Sequence, residues 1–387
     1  MTSVVVSGYY GFGNTGDEAM LEATLEGLGR RLPDLRVTVV SGRPEAVRAA
    51  HGVEAIAQLD VRGVWRALRR ADLFLSGGGT LLQDATSWRN LAYHLALFAL
   101  ARRAGAPSMI FAQGVGPVTS WIGRTMAPWS LRGLAAITVR DEASARALVE
   151  LKVTDRPPEV TADPAFALSP CPPERAEAVL RAAGVGGGSG SRPFVLLAPR
   201  GLWNREYEAD LLAVVGDWAV DELEATPLLA PMQFPNDLTA CDMIVARMRR
   251  PGAAVVLGER LNPREMMGVV GRAALVVGTR LHALIFGVAA GVPVAGVEYD
   301  PKVAFFLARL GEKPVASIVG PAGAIEDLRR RLREVWAGRA ELRSRLAGLA
   351  AEQRRLAERN FDVAASVVRG GAGRCRASGS SVSGSTT

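Results

Sequence analysis

Hydrophobic positions in this chain cluster in short runs, interrupted by little more than a Ser, Thr, Pro or Gly, rather than alternating with polar ones. In the first half they lie at residues 4–7, 37–40, 73–76, 108–112 and 136–139. In the second half they lie at 194–198, 227–230, 254–257, 275–277 and 292–297. A β-branched run without polar alternation is what a strand covered on both faces requires, and that is the habit of parallel sheets. Between the runs, apolar residues recur at helical spacing over 18–31, 91–103, 143–151, 205–223 and 263–270. Strands alternating with helices predict an α/β protein whose parallel sheets carry helices on both faces.

The pattern breaks once, at GVGGGSGSRP, residues 184–193, a flexible linker by composition. It separates an expected Rossmann-like domain at 1–183 from a second at 194–340. The helical pattern over 324–368 outlasts what the second domain needs, so the helix at 341–369 is expected to return to the first. Residues 370–387 are rich in Gly and Ser and read as a disordered tail.

With 387 residues, 49% of them hydrophobic, the chain can fill two cores. Three cysteines without CxxC spacing and three histidines exclude the usual zinc patterns and a disulfide framework. The opening MTSVVVSGYYGFG lacks a basic region and a cleavage site, and the apolar stretch 91–101 is too short to span a bilayer. A cytoplasmic protein is expected. The net charge is +7, with ten Arg against six acidic residues over 325–359. Such an excess suits nucleic acid, an anionic membrane or phosphorylated substrates. No nucleic-acid motif accompanies it, so no nucleic-acid partner is expected. A solvated helix face and peripheral contact with the inner membrane face both stay open.

Ligands of parallel α/β sheets bind beyond the carboxyl ends of the strands. The first run enters GYYGFGNTGDE, where Gly11, Gly13 and Gly16 spell GxGxxG. A dinucleotide site would need an acidic residue closing the second strand, but Ser41-Gly42-Arg43 stands there. Asp17 and Glu18 also oppose a bound pyrophosphate at the helix start. SGGGT and AQGVGP follow two further strands. Three such turns suggest a wall of backbone amides for anions or sugar hydroxyls, with Gly11, Gly13, Asn14, Asp17, Gly78, Thr80 and Gln113 as substrate-binding residues. A purely structural role for the turns is the competing reading.

In the second half a strand ends in Gly278-Thr279-Arg280-Leu281-His282, placing Arg280 and His282 at the ligand edge. The next strand ends in Glu298-Tyr299-Asp300-Pro301-Lys302, and Lys302 is one of only three lysines. Glu298 joins the substrate-binding set. Arg140, in Val139-Arg140-Asp141-Glu142, closes a strand in the same way, or else pairs with its acidic neighbours. No acidic cluster has magnesium spacing, so catalysis without metal or cofactor is expected. From the residues alone this is a two-domain cleft enzyme for a phosphorylated or carboxylated ligand and a sugar.

The motifs GYYGFGNTGDEAM, GGGTLLQD, AQGVGP, VRDEAS, ADPAF and GTRLHALIFGVAAGVPVAGVEYDPKV together resemble the polysaccharide pyruvyl transferase family, in particular its bacterial CsaB-type branch. The resemblance implies a GT-B-like fold of two Rossmann-like domains facing across a cleft, acceptor on the first side and donor on the second. It implies phosphoenolpyruvate as donor and a lipid-linked glycan as acceptor, typically N-acetylmannosamine on an undecaprenyl-diphosphate disaccharide. The product would be a 4,6-ketal on a polymer that anchors S-layer proteins. It carries over Arg280, His282, Arg140 and Lys302 as active-site residues. A glycosyltransferase using a nucleotide sugar, with Glu298 on the ribose, is one rival. A non-catalytic glycan-binding protein is the other.

Overall fold

The structure is a computed structural model and describes residues 1–85, 87–186, 192–201, 205–319 and 325–379, with side chains up to residue 370. Residues 187–191 of the 184–193 linker, and the tail's side chains from residue 371 onward, therefore lie outside the described residues. The chain forms two compact units. The first comprises Met1–Phe12, Met20–Ala167 and Gln353–Thr387, and the second Gly13–Ala19 and Leu168–Glu352. The division at Ala167 and Leu168 comes before the Gly/Ser stretch, so helix Pro173–Ala182 belongs with the second unit.

The first unit holds β1 (Thr2–Ser7), β2 (Leu35–Ser41), β3 (Glu54–Ala57), β4 (Leu73–Gly77), β5 (Ser108–Gln113), β6 (Ala136–Val139) and β7 (Glu159–Val160). They form one sheet in the order β3-β2-β1-β4-β5-β6-β7. Every pairing is parallel, for example Val4 beside Val37 on one flank and beside Leu73 on the other. Val4, Val5 and Val6 are fully buried because helices cover both faces. Each such side chain contributes about 1.5–3 kcal/mol relative to exposure.

The second unit repeats the plan with β8 (Phe194–Ala198), β9 (Thr226–Leu229), β10 (Val255–Val256), β11 (Leu275–Gly278), β12 (Val294–Glu298) and β13 (Ala316–Ser317). Their order is β10-β9-β8-β11-β12-β13, again all parallel. The strand order reverses between β1 and β4 in one unit and between β8 and β11 in the other. Those are the crevices where open α/β sheets bind ligands. Helix starts are set locally: Asn262 and Glu265 form a reciprocal capping box, and Asp141 caps helix Glu142–Glu150 through Ser144 N–H.

The continuous helical pattern at 324–368 resolves into two helices, Ile325–Ala337 and Arg339–Gly379. From Gln353 onward the second helix is part of the first unit, burying Ala357, Phe361, Ala364, Ala365 and Val368 along one stripe. Phe361 fills the space that a Cβ on Gly27 would take and meets Phe111 at 5.7 Å between ring centroids. Buried Asn360 accepts from the Thr161 hydroxyl and donates to Ala162 O. No helix among the described residues is long and apolar enough to cross a membrane.

Candidate active site

The second unit gathers most of the charged candidate residues. Arg280 follows β11, and its guanidinium is held by both carboxylate oxygens of Asp237, with Gln233 Oε1 accepting from Nη2 at 3.1 Å. Both partners are buried, Asp237 to 1% exposure, and burial pushes its carboxyl above the ordinary range despite the facing guanidinium. Arg280 is thereby a fixed element of the edge rather than a loose side chain.

His282 sits half-buried in the first turn of helix Leu281–Ala289. Gly16 lies against it: a Cβ on Gly16 would stand 2.1 Å from the imidazole Cγ and Nδ1, so only glycine fits there. The loop is held by the second unit itself. Thr15 N–H donates to Met232 O, Phe234 N–H donates to Gly13 O, and Asn14 pairs with Gln233 as a short antiparallel bridge. Gly13, Asn14 and buried Asp17 are thus brought together with Arg280 and His282, and Gln233 is the pivot. Gly11 belongs to the first unit, where it packs on Ser41 and Arg43.

Two residues that the sequence reading did not select complete this edge. Buried Glu208 accepts from the backbone N–H groups of Arg200 and Gly201, both at 2.8 Å, and from the Thr279 hydroxyl. It ties the turn after β8 to the turn after β11. Arg200 stands directly beyond β8, with its guanidinium 4.3 Å over the Tyr299 ring. Its Nε is buried without a hydrogen-bond partner among the described residues. Lys302 lies 4.9 Å over the same ring and 3.4 Å from Asp300. Glu298 ends β12 next to them. Arg200 was legible in principle, because Ala198-Pro199-Arg200 closes a strand as Val139-Arg140 does. Glu208 lies within a helix and gave no signal.

The first unit gathers neutral donors and one clamped cation. Arg140 is 8% exposed, with Nη1 donating to Asp163 at 3.0 Å and Nη2 to Thr80 Oγ1 at 2.8 Å. Its main partner is Asp163 in the ADPAF segment, while Asp141, at 3.9 Å, caps the next helix. A Cβ on Gly114 would stand 2.8 Å from Arg140 Nη2 and from Thr80 Oγ1, so glycine lets this clamp close. Gln113 follows a bulge in β5 and donates to Ser76 Oγ at 2.7 Å. Its own Oε1 and Ser7 Oγ are buried without partners among the described residues. Gly78, with φ of +83°, sits against the Tyr10 hydroxyl, which donates to Gly77 O. A separate hollow of about 380 Å³, lined by Arg36, Glu54, Arg66 and Arg70, lies beside the start of β1, away from the carboxyl edge.

Solved structures share this architecture at low identity. HepE of Anabaena, in complex with UDP and glucose, has a TM-score of 0.59 and 14% identity over 97% of this chain and 100% of that one. UDP-GlcNAc 2-epimerase from Neisseria meningitidis, bound to UDP-GlcNAc, has a TM-score of 0.61 and 9% identity over 96% and 100%. A glycosyltransferase from Rickettsia africae has a TM-score of 0.59 and 12% identity over 96% and 97%. No curated protein matches the chain. The two Rossmann-like units and their neighbours define an α/β protein of GT-B-like fold. The model of the polysaccharide pyruvyl transferase family matches residues 14–301, and the chain belongs to that family.

Proposed function

We propose that the protein takes pyruvate from phosphoenolpyruvate and sets it as a 4,6-ketal on a cell-wall glycan, releasing phosphate. The observation that carries this reading is His282, packed against the Gly16 backbone in the first turn after β11. The clamped Arg280 stands two residues before it, and Arg200 and Lys302 meet over Tyr299 at the ends of β8 and β12 of the same sheet. A donor bearing phosphate and carboxylate needs fixed cations, and guanidinium suits both groups. His282 delivers a proton to the methylene carbon, and one sugar hydroxyl adds to the resulting oxocarbenium carbon. The bond from that carbon to the phosphate oxygen breaks, and the second hydroxyl closes the ketal. The two hydroxyl protons are matched by one hydrogen on the new methyl group and one on the departing phosphate.

The first unit's neutral edge, with Gly78, Thr80 and Gln113, suits the acceptor sugar. We assign that acceptor as N-acetylmannosamine on a lipid-linked disaccharide, as in the CsaB-type branch, which brings the reaction to the cytoplasmic face of the inner membrane and its product to S-layer anchoring. The test is to incubate purified protein with phosphoenolpyruvate and this disaccharide, following phosphate release and acceptor mass. Phosphate release matched by a pyruvate ketal on the acceptor is the expected result. UDP bound to HepE motivates the second reading, transfer from a nucleotide sugar. UDP release without use of phosphoenolpyruvate would replace the first reading with that one.

A further inference from the structure

No Asp or Glu occurs between Asp84 and Asp141, yet Arg89, Arg102, Arg103, Arg124 and Arg132 do. Two helices of the first unit come from this stretch, Trp88–Ala104 and Trp121–Ser130, and they lie side by side. A Cβ on Gly123 would stand 2.7 Å from Leu91 Cδ2, and Arg102 Nη1 donates to Trp129 O at 2.7 Å. The second helix is amphipathic in an inverted sense. Its buried side is Gly123, Ala127 and Ser130, whereas Trp121, Arg124, Thr125, Trp129 and the following Arg132 line its exposed face. Trp121 is 75% exposed, Trp129 50% and neighbouring Trp88 53%. Arginines accompany these rings: Arg102 lies 4.5 Å over Trp129, with Arg132 at 5.9 Å, and Arg89 lies 5.8 Å over Trp88. Asp84, at the border, is occupied in accepting the Thr119 and Ser120 N–H groups.

We propose that this tryptophan–arginine face docks the protein on an anionic lipid bilayer. Indole rings settle at the headgroup level, where their apolar body and N–H are both accommodated, and arginine meets the phosphates there. The charged side chains on the two helices' exposed face are all arginines, with Asp84 only at its border, and such a face complements an anionic surface. The basic stretch at 325–359 is a poorer match, because four of its ten arginines are held in ion pairs, six acidic residues are interspersed, and it exposes no tryptophan of comparable extent. Arg330 pairs with Asp327 and Glu334, Arg333 with Glu222, Arg345 with Glu312, and Arg359 with Glu159. The proposal does not rest on the donor chemistry.

The test uses the full chain without substrates and vesicles of phosphatidylcholine, alone or mixed with phosphatidylglycerol. Cosedimentation with the mixed vesicles only, weakening as salt rises, is expected. Trp121→Ser with Trp129→Ser should reduce partitioning at least ~10-fold, and Arg124→Glu with Arg132→Glu by a similar factor. Arg343→Glu with Arg355→Glu, exposed on the C-terminal helix, should change it less than about twofold. Melting temperatures of the variants, expected to match that of the parent, control for folding. Binding that follows the C-terminal pair instead, or no binding to either vesicle, overturns the proposal. So does concentration-dependent self-association lost in the tryptophan variant, which would assign the face to a second copy of the chain. Ketal formation is not measured here, so this proposal and the proposed function fail separately.

Discussion

The two sheets share one strand order, apart from the added edge strand β7 in the first, and each closes a strand with an arginine clamped by a distant buried carboxylate, Arg140 by Asp163 and Arg280 by Asp237. Around the clamps they diverge. The first edge offers Thr80, Gln113, Ser76 and glycine backbone, all neutral at any working pH. The second offers an imidazole, a lysine and an arginine without an ion pair among the described residues. The same fold thus presents neutral hydroxyl and amide groups on one sheet and an imidazole with cationic groups on the other, and the proposed function uses that difference. Rossmann-like geometry selects where a ligand sits, and the side chains beyond the strands select which ligand it is.

The sharpest way to break the comparison is to open the clamps. Arg280→Ala leaves Asp237 buried without its counter-charge, and Arg140→Ala does the same to Asp163. Each should cost about 3–5 kcal/mol of stability, read by denaturant unfolding. Removing both charges at once, with Arg280→Met and Asp237→Leu, should recover most of the loss. If Arg280→Ala keeps full stability yet loses the donor, the clamp is no clamp and Arg280 is itself a ligand. An equal result at Arg140 would erase the difference drawn between the two edges.

The histidines supply the next contrast. His94, on helix Trp88–Ala104 in the first unit, is 3% exposed, and burial pushes its pKa down to about 4 from 6.5. Folded protein then binds fewer protons than unfolded protein between those values, so stability must fall as pH drops from about 6.5 toward 4. At 1.36 kcal/mol per unit the loss reaches at most about 3.4 kcal/mol. His94→Leu should flatten that slope without touching turnover. His282, by contrast, should be a matter of rate. His282→Gln is expected to lower turnover at least ~10²-fold, near 2.7 kcal/mol of barrier, with donor affinity nearly unchanged. Near-normal turnover in that variant would move the proton transfer to another group.

How much of this was legible follows from what is local. The apolar runs mark their strands because burial on both faces leaves only a few polar positions, such as Thr38 and Thr138, to interrupt the pattern. β3 escaped notice since an edge strand with exposed Glu54 and Ala57 carries no such run, and β7, β10 and β13, two residues each, are too short for reliable bounds. The helix break at Gly338 was hidden because helical periodicity continues on either side. At the site, strand ends revealed Arg140, Arg280 and His282, but their partners lie far along the chain. Asp237 is 43 residues from Arg280 and Asp163 is 23 from Arg140. Gly16 earned its glycine from His282, a contact that no spacing discloses. The GxGxxG pattern suggested one turn, whereas its glycines serve three different approaches, to Ser41, to Phe234 and to His282.

The smallest expected effect tests the asymmetry most directly, at Arg200. Its backbone N–H already satisfies Glu208, so truncating the side chain leaves that tie intact. What Arg200→Ala removes is a guanidinium over Tyr299, worth only about 0.5–1 kcal/mol to the fold, and a buried Nε–H with no acceptor among the described residues. A donor group that can reach this buried N–H forms charge-assisted bonds there at little cost in reorganisation. Phosphoenolpyruvate affinity should therefore weaken about 10-fold, near 1.4 kcal/mol, while the melting temperature barely moves. Arg200→Lys should restore charge but not the forked geometry, giving an intermediate affinity. Calorimetry on the three proteins, with the melting temperature of each, separates the outcomes. A lower melting temperature with unchanged affinity would make Arg200 a packing residue of Tyr299. The second edge would then hold Lys302 as the cation left to test, and the contrast with the first edge would narrow to His282.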